Sequence, residues 1–214
     1  MWLKRYKRLA KDSLRIVLIN LMPEPTPLTI KGYHGCDADN QAGIVDENFR
    51  LSQGQKHFDW LGEGAYFFGH CGFSDPVSDA RKWAIAESWD NKAYKRKYLQ
   101  YVVLSAKITA HRYLDMNSDD GKKVTKGVRE TLLGALRQYP TKDFYNDSKL
   151  IKHLTTKVKF DLVICDLYIQ FANERKAQIL SRFPNARVIC VYTPSAIDKS
   201  SIVLEDKGKI SSTP

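Results

Sequence analysis

The chain has 214 residues, 43% hydrophobic and 27% charged, with 12 Gly and 8 Pro. That is the make-up of one folded domain, and it excludes a collagenous, low-complexity or disordered polymer. The 34 Lys and Arg against 24 Asp and Glu leave a formal charge of +10, which favours polyanionic partners without naming one. The cysteines Cys36, Cys71, Cys165 and Cys190 include no CxxC pair, so neither a disulfide framework nor a zinc knuckle is expected, and the chain reads as reduced and cytoplasmic.

In chain order, the basic stretch Lys4, Arg5, Lys7, Arg8 and Lys11 precedes an apolar run over 14–22 that Arg15 interrupts. The run falls short of the ~20 residues a membrane helix needs, so 1–24 is expected to be a basic amphipathic helix plus connector, without membrane insertion. Pro23, Pro25 and Pro27 stiffen the connector. Short apolar runs, rich in β-branched and aromatic residues, predict strands over 28–35, 62–68, 99–109, 160–168 and 186–192. A short helix or turn is expected over 40–48. Asp75-Pro76 supplies a cap and a first-turn proline for a helix over 76–89. Val124, Val128, Leu132 and Leu136 recur every four residues, and Leu150, Ile151 and Leu154 make a second helical face. A charged helix is expected over 172–183, and 186–192 is taken as the last central strand. The body thus runs over 25–206, and the polar tail over 207–214 is expected to fray.

The chemistry concentrates in Tyr33-His34-Gly35, then Asp59-Trp60-Leu61-Gly62-Glu63-Gly64-Ala65-Tyr66-Phe67-Phe68, then Ala80-Arg81-Lys82-Trp83-Ala84. In these three pieces the chain resembles the ADP-ribosyltransferase superfamily, in its poly(ADP-ribose)-polymerase-like, His-Tyr-Glu branch with bacterial and phage relatives. Tyr113-Leu-Asp115 and Arg187-Val-Ile-Cys-Val-Tyr-Thr-Pro194 are similar to later elements of those relatives, so the likeness runs from residue 28 to residue 197.

The resemblance implies an α+β fold, a split two-sheet antiparallel sandwich with flanking helices, around a cleft for NAD. It implies transfer of ADP-ribose from NAD, here a substrate, to a macromolecular acceptor without a metal. Nucleic acid is favoured over protein as acceptor because of the net charge, and the setting would be a toxin or anti-phage effector, with a neutralising partner protein in view. His34 would hydrogen-bond a ribose hydroxyl, the backbone of Gly35 would hold the nicotinamide amide, and Tyr66 would stack on the ring with Trp83 closing it from the other side. A backbone N–H and C=O from one residue can hold an amide as a bidentate pair, and an aromatic face suits a pyridinium ring.

The family's third residue, a Glu at the start of a late strand, falls on Val188, which offers no hydrogen bond. Gln170 is the chosen substitute, with Arg187 and Glu174 as others. Loss of that Glu goes with transfer of a single ADP-ribose or with inactivity. The alternatives are therefore a degenerate binding module of the same fold, NAD hydrolysis, or phosphate removal from RNA. On their own, Tyr66 and Trp83 read equally as core residues, Asp79 as a partner of the helix dipole, and the glycines as turns. A mixed metal site of His34, Cys36, His70 and Cys71 is the weakest option.

Overall fold

The computed structural model describes residues 26–51, 60–138, 147–155 and 157–211, so the expected leader helix over 1–24 lies outside the described residues. Strand β1 (Leu28–Asp37) is followed by helix α1 (Gln41–Glu47). Next come β2 (Ala65–Gly69) and α2 (Pro76–Glu87), which begins as expected and ends two residues early. A short hairpin, β3 (Trp89–Asp90) and β4 (Lys95–Arg96), leads into β5 (Gln100–Ala110) and β6 (Tyr113–Asp115). Two helices follow, α3 (Asp119–Gln138) and α4 (Asp147–Thr155). The chain closes with β7 (Leu162–Leu167), α5 (Ala172–Lys176), β8 (Ala186–Val191) and β9 (Ile197–Lys209). No described helix is long and apolar enough to cross a membrane.

The protein is mixed α+β. Seven strands form one sheet in the order β6-β7-β8-β2-β1-β5-β9, antiparallel throughout except for β6 and β7. The sheet is nearly divided. β1 registers with β5 from Leu28↔Ala110 to Asp37↔Tyr101, yet it meets β2 at Tyr33↔Phe68 alone. Two antiparallel halves, β7-β8-β2 and β1-β5-β9, are therefore joined at one point.

Side-chain alternation gives each half two apolar faces. Tyr33, Phe68, Val103, Val163 and Val188 belong to one face, covered by Ala80 and Ala84 of α2, Val124 and Val128 of α3, and Ile151 and Leu154 of α4. The side chains of Leu132 and Leu136 lie outside the described residues. Phe67, Leu104, Ile108, Ile164 and Ile189 belong to the opposite face, with Phe49, Ala196 and Ile197 against them.

Two expectations are corrected. The helix over 172–183 stops at Lys176, and Gln178 takes φ +54. Its would-be apolar stripe, Ile179, Leu180 and Phe183, stays exposed; a short helix without a packed face has little to hold it. The tail expected to fray from 207 instead belongs to β9, which pairs Lys207, Gly208 and Lys209 with Val102, Tyr101 and Gln100. The charges that make this segment look like a tail are used: Glu205 binds Lys31 at 2.6 Å and Asp206 binds Arg81 at 2.6 Å, as suits a solvent-facing edge strand.

Helix α2 starts because the Asp75 carboxylate accepts from the N–H groups of Val77 and Ser78 while Pro76 fills a first-turn position. It settles onto β1 through small residues. A Cβ on Gly35 would stand 1.9 Å from the Ala80 carbonyl oxygen, so the helix backbone occupies the space that any side chain there would need. Gly35→Ala is accordingly expected to cost about 3 kcal/mol, the upper end for overpacking. Urea unfolding checks this, and an unchanged midpoint would contradict the close contact.

Candidate functional site

The point where β1 and β2 part holds most of the candidate residues. Continuing the Tyr33↔Phe68 register by two residues sets Gly35 against Tyr66. A side chain bridges the strands there: His34 Nδ1 donates to the Tyr66 carbonyl oxygen at 2.8 Å. Because a carbonyl can only accept, Nδ1 carries the proton, and in the neutral ring Nε2 keeps a free lone pair. Nε2 makes no hydrogen bond among the described residues.

The imidazole lies against Phe49, 5.2 Å between centroids, and Phe67, 5.8 Å. Burial there holds its pKa below the ordinary 6.5, with the Tyr66 carbonyl pulling weakly the other way. Cys36, two residues on and on the same strand face, has its thiol pushed up to about 12 by burial, so it is no thiolate nucleophile.

The Tyr66 ring is on the other face of the sheet, where Trp60 meets it edge-on at 5.9 Å and Trp83 of α2 meets Trp60 at 4.7 Å. His34 and Tyr66 are thus joined through backbone, while their rings look to opposite sides. An extended ligand crossing the parted edge could touch both; a single flat ring could not. The Tyr66 hydroxyl donates to Gly62 O at 2.6 Å and accepts from Leu61 N–H at 3.0 Å. Tyr192 donates to Leu61 O at 2.5 Å from the neighbouring strand end. Two phenols therefore fix the loop before β2, in which Gly62 adopts φ +93.

The remaining candidates fall elsewhere. Val188 is 1% exposed, registered between Phe68 and Cys165, and presents no polar group. Gln170 lies beyond β7, and its amide Nε2 donates to Ile179 O at 2.7 Å, with Tyr168 donating to the same oxygen at 3.0 Å. It pins the 177–183 loop. Arg187 is bound in a two-pronged pair by Asp166 at 2.7 and 3.0 Å. Trp83 is half-buried, with the Arg175 guanidinium 5.5 Å over its ring.

Two residues have a place here that the sequence reading did not assign them. Trp60, inside the quoted Asp-Trp-Leu-Gly stretch, is the ring that links Tyr66 to Trp83. Asp79 is the one buried carboxylate among the described residues, 2% exposed, with Oδ2 unpartnered and Oδ1 3.5 Å from Lys82 Nζ; burial raises its pKa, opposed by the neighbouring Ser74 and the Lys82 ammonium. It immediately precedes Ala80, whose carbonyl touches Gly35. His70 bonds the Tyr33 hydroxyl and Cys71 bonds Ser74, and no group of three or more metal-ligating side chains forms among the described residues. No family model and no curated protein matches the chain.

The lowered His34 pKa has a pH consequence with a definite sign. Below about pH 6.5 the unfolded chain takes up a proton at this residue that the folded protein resists, so stability is full above that value and declines on acidification. Urea midpoints at about pH 7.5 and 5.5 should fall further for the wild type than for His34→Gln. Equal declines would show that His34 is not the group responsible.

Proposed function

We propose that the protein transfers a single ADP-ribose from NAD to a macromolecular acceptor, on an ADP-ribosyltransferase fold whose cleft is the parting of β1 and β2. The observation that carries this reading is the arrangement at that parting: β1 registers with β2 at Tyr33↔Phe68, and one residue on, a neutral imidazole on β1 bonds the Tyr66 carbonyl on β2. The near-division of the sheet into two antiparallel halves also supports it.

In the proposed reaction His34 Nε2 accepts from a ribose hydroxyl. The backbone at Gly35 holds the carboxamide, and the ring of Tyr66 covers the pyridinium. The bond from ribose C1 to the ring nitrogen breaks, the electron pair leaves with nicotinamide, and an acceptor oxygen or nitrogen takes its place and gives up its proton. Little acid or base is needed, so orientation and charge stabilisation dominate. Val188 supplies no carboxylate to activate a second sugar, which fits single transfer rather than a polymer.

The same buried Val188 favours a second reading, a module of this fold that binds NAD or nucleic acid without turnover. Incubation with NAD labelled on its adenylate phosphate, together with RNA, DNA or lysate protein, separates the two. Transferred label that drops about 100-fold in His34→Ala supports the enzyme. Binding of NAD or nucleic acid without transfer supports the module; absence of NAD binding removes the enzyme, and absence of binding to NAD, RNA and DNA removes both.

A further inference from the structure

Outside the parted strands, the described residues line an open pocket of about 350 Å³ between the loop before β2, α4 and the ends of β7 and β8. That volume is in the range of small-ligand sites and can admit a mononucleotide. Its lining includes Phe160, which is buried, and Tyr192, which is half-buried and whose hydroxyl bonds Leu61 O. Its cations are Lys152 and Lys159. The acid at the rim, Glu63, is 3.2 Å from Lys152, a solvent-exposed pair of small worth that Lys152 can leave for a better anion. Lys159 is exposed, with no ion pair or hydrogen bond among the described residues. Two aromatic residues and two lysines along one pocket suit a ligand with a flat apolar body and a multiply charged end.

We propose that this cavity binds the terminal phosphate and adjoining nucleoside of a nucleotide, free or at the end of a nucleic acid strand. Gly62 lines the cavity, and its carbonyl accepts from the Tyr66 hydroxyl, so an occupant sits one loop away from the parted strands. The net charge of +10 supplies long-range attraction for such a ligand. This site uses none of the residues assigned to NAD, and its test is independent of that assignment.

The test is titration calorimetry with four probes: adenosine, adenosine 5′-monophosphate, and a short oligothymidylate with and without a 5′-phosphate. The phosphorylated member of a pair should bind at least about tenfold tighter. Lys159→Gln should abolish the preference and lower the slope of log affinity against log salt by about 1. Preference in the mononucleotide pair alone marks a free nucleotide as the ligand; preference in both pairs marks a strand end. Circular dichroism checks folding of the variant, whose substituted side chain is exposed. Equal binding of phosphorylated and unphosphorylated probes, no binding at all, or a preference that survives in Lys159→Gln would overturn the assignment.

Discussion

Where backbone pairing between β1 and β2 ends, one side chain takes over: His34 Nδ1 reaches the Tyr66 carbonyl at 2.8 Å. A carbonyl oxygen at a parted strand edge needs a donor, and an imidazole one residue past the last pair supplies it without closing the gap. The bond also selects the tautomer, so the other ring nitrogen is left as an acceptor. Burial against Phe49 and Phe67 keeps the ring uncharged and preserves that role. Removing the imidazole would thus disturb the junction of the two half-sheets and the polar group beside it together.

The rest of the site is built to keep that gap in place. On one side, α2 lies so close to β1 that its Ala80 carbonyl fills the space beside Gly35. On the other, Tyr66 and Tyr192 hold consecutive backbone groups of the loop before β2, and a Cβ on Gly64 would stand 2.5 Å from Cys190 Sγ. The unpartnered Oδ2 of Asp79, in the turn of α2 that meets Gly35, is the one unsatisfied buried polar atom found among the described side chains. Such an atom in a packed interior is costly and concentrates at working sites.

Much of this was legible in the amino acids. Asp75-Pro76 announced α2, and runs rich in β-branched and aromatic residues announced β1, β5, β7 and β8, because each signal is local. The glycine-flanked Gly-Glu-Gly-Ala-Tyr stretch and the Tyr-His-Gly stretch were singled out, and the fold sets Gly35 against Tyr66. What stayed hidden depends on partners distant in sequence. β9 resembles a polar tail until Lys31 and Arg81 are seen opposite Glu205 and Asp206. The His34 bridge ends on a backbone carbonyl, which no residue identity can advertise. That the two rings face opposite sides follows from register, and the amide of Gln170 was free to be guessed as reactive until Ile179 was found to accept from it.

The central claim, that the edge at Gly35 and Tyr66 is a ligand-binding edge rather than a structural seam, is reached most directly by amide NMR of the labelled protein titrated with nicotinamide and then with intact NAD. The account predicts saturable shifts at the Gly35 and Tyr66 amides with nicotinamide, joined by the His34 ring protons once the full dinucleotide is added. Shifts confined to other regions, or no shift at Gly35 and Tyr66 at saturating dinucleotide, would contradict it.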